Sequence, residues 1–110
     1  MSEALYRELN DEISRVETVF SEKHPGVSAE IVGHAVDPLR RLGFGKDNKG
    51  WRLFVELHDG DVQDLANASV KVRLWAAEHI VRLEEALELA ARTRNFDLIR
   101  AISLLQKIKR

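Results

Sequence analysis

The strongest helical pattern lies in the centre of the chain, between Ser69 and Ala91. Apolar residues recur there at intervals of three and four, as they do along the surface of an amphipathic helix. They form one row of Val72, Ala76, Ile80, Leu83, Leu87 and Ala90 and a second row of Val70, Leu74, Ala77 and Val81. Ser69 is a suitable N-cap because its hydroxyl can accept a backbone N–H of the first turn. Since two apolar rows need two neighbours, we expect this helix to lie between two layers.

The N-terminal segment predicts a second amphipathic helix, over residues 2–23. Its apolar row, spaced by four and three, comprises Leu5, Leu9, Ile13, Val16 and Phe20. Pro25 and Gly26 then stop the helix, because this pair is typical of a turn. An apolar seam this narrow can pack on a single helix, either from the same chain or from a second copy of the protein.

The clearest β pattern covers residues 39–58, where two apolar runs flank a compact turn at residues 47–50. We expect an antiparallel hairpin with one of two registers. In the first, Phe44 pairs with Leu53. In the second, a type I turn with a left-handed glycine shifts the pairing so that Phe44 faces Phe54. A shift of one residue exchanges the two faces of a strand, so only one register can form. We favour the first because it pairs several apolar residues.

Residues 27–36 fit two patterns. The helical alternative would begin at Ser28, but Pro38 interrupts it and disfavours the α conformation at Asp37. We therefore favour a strand, which would be the third strand of the sheet.

The apolar pattern weakens at residues 92–95, after Ala91, and we expect Asn95 to be the N-cap of a separate last helix. Its apolar positions are Phe96, Ile99, Ile102, Leu105 and Ile108, with Leu98, Ala101 and Leu104 alongside. This apolar arc is wide for a helix at the end of a chain.

These elements predict a single α+β domain over residues 1–110. It would have an N-terminal helix, a two- or three-stranded antiparallel sheet that contains the hairpin 39–58, and two C-terminal helices, the first packed on the sheet. A chain of 110 residues buries roughly two-thirds of its unfolded surface, which is enough to fold alone.

Composition excludes several classes of protein. Hydrophobic residues make up 45% of the chain and charged residues 32%, which is too apolar for a disordered protein. The chain has no cysteine, so disulfides and thiolate metal sites are excluded. No apolar run approaches the roughly 18–20 residues needed to cross a bilayer, and the charged N-terminus has no signal-peptide pattern. We expect a cytoplasmic protein that has no membrane partner.

The sequence contains no pattern typical of a catalytic, cofactor or metal site. The four histidines, at positions 24, 34, 58 and 79, include no pair at the helical spacing that presents two ligands on one face. His58, Asp59, Asp61 and Asp64 lie close in sequence, but their spacing lacks the glycine and the terminal glutamate of a calcium loop. There is no glycine-rich phosphate loop and no nucleophile with an evident base. We therefore expect no metal, no cofactor and no enzymatic activity.

The hairpin suggests an alternative function, nucleic-acid binding. Between positions 39 and 56 it has five basic residues against two acidic ones, and aromatic residues are interleaved with them. A basic β-ribbon can enter a groove or stack on bases. The contact residues would be Arg40, Arg41, Lys46, Lys49, Trp51 and Arg52. The net charge of the chain is −1, so the attraction would be modest, and these charges could instead protect an edge strand from aggregation.

The favoured function is protein–protein interaction. Three predicted helices offer more apolar face than a small sheet can cover. Packing between helices of one chain could absorb this face; otherwise a symmetric dimer through the first or last helix would complete the core, or another protein would bind there. We expect a small self-associating module. Its contact residues would be Leu5, Leu9, Ile13, Val16 and Phe20 on the first helix and Ile99, Ile102, Leu105 and Ile108 on the last.

Overall fold

The structure is a computed structural model that describes residues 2–109. Met1 and Arg110, which the expected domain 1–110 includes, lie outside the described residues. In chain order the elements are α1 (Ser2–Lys23), β1 (Ala29–Val32), β2 (Arg41–Asp47), β3 (Gly50–Glu56), β4 (Val62–Asp64), a 3-10 turn (Leu65–Asn67) and α2 (Val70–Gln106). Within these residues the strands form one antiparallel sheet in the order β1-β2-β3-β4, so the predicted α+β class is confirmed.

Both helices pack on one face of this sheet. The side chains at the centre of that face are at most 1% exposed, and they are Leu42, Phe44, Leu53 and Val55. α2 contacts β1 and β2, whereas α1 contacts β3. Phe20 of α1 meets the ring of Phe44 edge-on, with the ring centroids 5.6 Å apart. The two helices and the sheet therefore share one hydrophobic core.

The predicted N-terminal helix is confirmed, because α1 spans Ser2–Lys23. The backbone N–H of His24 still donates to the carbonyl of Phe20 at 2.9 Å, and the helix then ends before Pro25. Gly26 has a φ of 72°, a left-handed conformation that glycine adopts at little cost. The Pro-Gly pair thus stops α1 and turns the chain toward β1.

A buried carboxylate joins α1 to the sheet. Glu17 is 8% exposed, and its Oε2 accepts a hydrogen bond from the backbone N–H of Leu53 at 2.7 Å. β4 pairs with β3 only at residues 54–56, one residue short of this N–H. Burial raises the pKa of Glu17 above its ordinary value, although the Leu53 N–H acts in the opposite direction. The carboxylate therefore satisfies a backbone donor that β4 does not reach, at a cost in desolvation.

The favoured hairpin register is confirmed, because Phe44 pairs with Leu53. Gly50 has a φ of 115°, so the turn glycine adopts a positive φ without shifting the pairing. On the other side of the hairpin the ring of Phe54 lies over Gly43. A Cβ added at Gly43 would lie 2.3 Å from Cζ of that ring. Glycine at this position therefore allows the aromatic ring to lie flat across the neighbouring strand.

The sheet has four strands within the described residues, so the expectation of two or three strands is wrong. β1 confirms a strand within residues 27–36, although it covers only Ala29–Val32. The local pattern did not reveal β4, because its three residues contain a single apolar side chain, Val62. Gly60, with a φ of 91°, turns the chain so that Val62 pairs with Glu56. Pairing with β3 creates this strand.

Residues 70–106 form one helix, so the prediction of two C-terminal helices is wrong. Asn95 lies inside α2 and does not cap a new helix. Residues 92–95 contain neither glycine nor proline, and arginine, threonine and asparagine each cost at most about 0.7 kcal/mol relative to alanine in a helix. Stopping here would require a second helix nucleus, which is unfavourable. Thr93 also donates from Oγ1 to the carbonyl of Leu89 at 3.0 Å, which satisfies its hydroxyl within the helix.

The start of α2 is as predicted, but its packing is not. The Oγ of Ser69 accepts the backbone N–H of Val72 at 3.3 Å, which confirms the N-cap. Leu83 of the first apolar row is fully buried, whereas Leu74 and Val81 of the second row are exposed. The expectation that α2 lies between two layers is therefore wrong. α1 packs over β3, and it leaves the second row of α2 uncovered.

Two substitutions test the role of the Glu17 carboxylate. Glu17→Gln keeps an acceptor for the N–H of Leu53, whereas Glu17→Ala leaves this buried donor unpaired. We expect the alanine variant to lose roughly 1–3 kcal/mol of unfolding free energy relative to the glutamine variant. Urea denaturation at neutral pH measures the difference. Equal stability of the two variants would contradict the assigned hydrogen bond.

The raised pKa of Glu17 also predicts a pH dependence of stability. The folded protein binds this proton more tightly than the unfolded chain, so the stabilisation is complete below the unfolded pKa of 4.5 and is lost as pH rises through the folded pKa. The unfolding free energy of the wild type should therefore fall, relative to that of Glu17→Gln, as pH rises from 4.5. Paired urea titrations measure this change, and a difference that stays constant with pH would disprove it.

Candidate functional site

The last part of α2 extends beyond the body of the molecule. Every residue from 92 to 109 is exposed, and we call this segment the C-terminal arm. The molecule measures 67 × 29 × 24 Å, which reflects the length of the arm. Seven large apolar side chains of the arm are at least 49% exposed: Phe96, Leu98, Ile99, Ile102, Leu104, Leu105 and Ile108. The four contact residues predicted on the last helix are all among them.

The apolar face of the arm continues the row that α2 buries in the core. Leu83 and Leu87 are fully buried against the sheet. Leu98 and Leu105 follow Leu87 after about three and five helical turns, so they return close to the same side of the helix. The core-facing side of α2 therefore runs on for about 27 Å beyond Leu87, at a rise of about 1.5 Å per residue.

The predicted contact row on α1 is divided between the core and the surface. Ile13 and Phe20 are 7% and 4% exposed, and Leu9 and Val16 pack partly against the same core. Leu5 is exposed. Most of this row therefore completes the core of its own chain, and Ile13 and Phe20 offer little surface to a partner in this arrangement.

An apolar groove of about 120 Å³ separates α1 from α2, and we call it the α1–α2 groove. Its walls include Leu9, Ile13 and Val16 from α1 and Ala76, Ala77 and Ile80 from α2. Beside it, Arg73 of α2 donates to Oδ1 of Asn10 at 2.9 Å and lies 5.8 Å from the ring centroid of Tyr6. The helices are thus tied by polar contacts and leave an open apolar surface between them.

The arm and α1 carry opposite charges. The arm has five basic residues and one acidic residue, which is a formal charge of +4. α1 has six acidic and three basic residues, which is a formal charge of −3. Exposed charges act over a Debye length of about 8 Å at physiological ionic strength. The arm and α1 therefore attract each other only where their surfaces approach within about this distance. This attraction favours contact between the arm of one molecule and α1 of another over contact between two arms.

Ion pairs occupy part of the basic hairpin. Arg41 donates from Nε to Glu56 at 2.8 Å and from Nη1 to both carboxylate oxygens of Glu30 at 2.9 Å. Glu56 first, and then Glu30, raise the pKa of Arg41 above its ordinary value. Arg40 lies 3.9 Å from Glu56, and Lys49 pairs with a carboxylate of β4 at 3.8 Å. These pairs neutralise charge that a nucleic-acid backbone would require.

The six residues of the predicted nucleic-acid surface do not share one face. Side chains alternate along a strand, so Arg41 and Arg52 lie on the open face of the sheet, whereas Lys46 and Trp51 lie on the side of the helices. The ring of Trp51 stacks on Phe44 with the centroids 5.6 Å apart. The structure therefore does not bring these basic and aromatic side chains together into one stripe.

Two of the histidines are engaged with the backbone. Nδ1 of His79 lies 2.7 Å from the carbonyl oxygen of Trp75, and the two rings stack with centroids 3.9 Å apart. Nε2 of His58 lies 2.8 Å from the carbonyl oxygen of Asp37. The backbone N–H of His34 donates to Oδ2 of Asp37 at 2.7 Å and is the main cause that lowers the pKa of that carboxyl. These contacts stabilise the β1–β2 loop and the start of α2.

Comparison with protein-family models, with curated proteins and with solved structures finds no match to this chain. Within residues 2–109, no helix combines the length and apolar character needed to cross a membrane. Function must therefore be inferred from the arm, the α1–α2 groove and their charges.

The same substitution by aspartate should destabilise the fold in one of the two predicted contact rows and leave it intact in the other. Ile13→Asp buries an unpaired carboxylate, so we expect a loss of more than about 4 kcal/mol of unfolding free energy and no cooperative transition. Ile102→Asp changes an exposed position of the arm, and we expect the cooperative unfolding of the body to remain. Circular dichroism during thermal unfolding of dilute protein measures both. Similar loss of structure in the two variants would contradict the exposure of the arm.

Proposed function

We propose that this protein is a small cytoplasmic interaction module that associates with a second copy of itself through the C-terminal arm, and that it has no catalytic activity. The observation that supports this proposal is the row of large apolar side chains exposed along the arm. Soluble monomers rarely expose a contiguous apolar patch larger than a few hundred square ångströms, and larger patches mark interaction sites.

Burial of this face would provide a substantial driving force. Each fully buried leucine or isoleucine side chain contributes about 1.5–3 kcal/mol. An isolated helix of this length is marginal in water, even with favourable sequences. The arm is therefore the part of α2 that gains most from a partner, because the sheet supports the rest of the helix.

A second copy is the partner that the charges favour. The arm carries a formal charge of +4 and α1 a formal charge of −3, so an arm is attracted to α1 of another molecule. Two copies related by a two-fold axis can each donate an arm and receive one, which closes the assembly. In this dimer each arm lies along the α1–α2 groove of the other copy.

The dimensions of the two surfaces agree with this arrangement. The helical part of the arm, residues 92–106, is about 22 Å long, and the 22 residues of α1 span about 33 Å. The groove of about 120 Å³ offers an apolar recess for side chains of the arm. Leu5 and Tyr6, which are exposed near the start of α1, extend the apolar surface beyond it.

Light scattering coupled to gel filtration tests self-association. We expect the wild type to elute as a dimer and Ile102→Asp to elute as a monomer, because the substitution places a charge on the apolar face. Ser103→Asp is the matched control: it places the same charge on the neighbouring polar side of the arm, and we expect it to remain a dimer. A monomeric wild type at high concentration, or equal behaviour of the two variants, would refute the proposal.

A substitution in the groove tests where the arm docks. Ala77 lines the groove and is exposed, so Ala77→Arg should obstruct it and repel the basic arm without altering the arm itself. We expect a dissociation constant at least tenfold higher, measured by sedimentation, with Glu78→Arg as a control at the adjacent exposed position. Unchanged affinity of Ala77→Arg would mean that the arms pack on each other and not in the groove.

A further inference from the structure

Three potential metal ligands meet where the end of α1 lies against α2. His24 follows the last residue of α1, and Glu84 and Glu88 lie one turn apart on α2. Nε2 of His24 is 3.8 Å from Oε2 of Glu84. One ligand atom from each of the three residues lies within 4.8 Å of the others.

The imidazole of His24 is the unusual member of this cluster. The residue is 7% exposed, and its Nε2 is buried without a hydrogen-bond partner. Buried polar atoms are nearly always paired, so an unpaired one calls for an explanation. The ring contacts Phe20 edge-on, with the centroids 6.3 Å apart, which holds it beside α2 with Nε2 near the two carboxylates.

We propose that His24, Glu84 and Glu88 bind a divalent transition metal, with zinc as the best fit. One imidazole and two carboxylates form a donor set that zinc accepts, whereas calcium and magnesium favour oxygen ligands alone. Zinc binds such ligands at about 2.0–2.2 Å, which places neighbouring ligand atoms about 3.3 Å apart in a tetrahedron. The ligand atoms now lie within 4.8 Å of one another, so rotation of the carboxylate side chains would bring them to this separation, and Glu88 is exposed and free to rotate. Water would complete the coordination.

The surrounding electrostatics favour a cation at this position. The last carbonyl groups of α1 carry the negative end of the helix dipole, and His24 lies directly beyond them. Nζ of Lys23 already lies 3.3 Å from Oε2 of Glu84. Because this lysine is exposed, its ion pair is weak and a metal ion can displace it. The ammonium group of Lys23 would therefore compete with a metal ion for the same negatively charged region.

Bound metal would join α1 to α2. Arg73 and Asn10 connect the two helices toward the other end of the α1–α2 groove. A metal at His24 would fix the opposite end, so it would hold the width of the groove constant. The predicted absence of a metal site rested on the spacing of the histidines, the lack of a calcium-loop pattern and the lack of cysteine. This cluster instead combines one histidine that directly follows α1 with a carboxylate pair from α2.

Isothermal titration of chelator-treated protein with zinc chloride tests the site, in the Ile102→Asp background so that self-association does not contribute. We expect one zinc ion per chain, and Glu88→Gln should lower the affinity at least tenfold. Glu85→Gln removes the neighbouring exposed carboxylate and should leave the affinity unchanged. Equal effects of the two substitutions, or no binding at millimolar zinc, would overturn the proposal.

Removal of the competing lysine gives a test with the opposite sign. Lys23→Met should raise the zinc affinity severalfold, because Glu84 is released from its ion pair. A purely structural contact between His24 and Glu84 would not produce this gain. Thermal unfolding provides a second readout: zinc should raise the midpoint of the parent protein but not that of Glu88→Gln. An equal rise with magnesium or calcium, or a loss of affinity in Lys23→Met, would contradict the assignment.

Discussion

The fold depends on covering one apolar face of a sheet that is much shorter than the helix packed on it. β2 and β3 have seven residues each and span about 23 Å, whereas the 37 residues of α2 span about 55 Å. Only the first part of α2 can therefore bury its apolar row. The apolar row of α2 extends past the end of the sheet, and its side chains in the arm are exposed to solvent. The uncovered side chains have the same apolar character as those that form the core, and the proposed self-association rests on this difference in length.

The second consequence of a small sheet is that two helices share it without packing tightly on each other. α1 lies over β3 and α2 over β1 and β2, so a groove remains between them. Polar groups hold the arrangement together: Glu17 bonds the backbone of β3, and Arg73 bonds Asn10 across the groove. At the end of α1, His24 meets the carboxylates of α2. The groove and the cluster of His24, Glu84 and Glu88 are thus separate results of the same spacing between helices.

Local patterns predicted the elements whose signals are complete within a short stretch. The bounds of α1, the cap at Ser69 and the pairing of Phe44 with Leu53 follow from apolar spacing, one hydroxyl and several apolar pairs. Sequence reasoning also identified the apolar side chains of the arm. It failed at β4, where three residues with one apolar side chain become a strand only by pairing with β3. It failed again at Asn95, because a good N-cap does not interrupt a helix that is already formed.

The sequence by itself determined which residues are apolar, where α1 ends and α2 begins, and how the hairpin is paired, since these depend on neighbours within a few positions. Tertiary structure alone decided which apolar row is buried. Ile13 and Leu83 enter the core, whereas Ile102 and Leu105, equally apolar and equally spaced, stay in solvent. Burial depends on what lies across from a side chain. The length of the sheet sets how far along α2 a side chain has the sheet opposite it. The contact between His24 and Glu84 could not be predicted from the sequence for the same reason. The two residues are sixty positions apart, and a contact at that separation produces no periodic pattern.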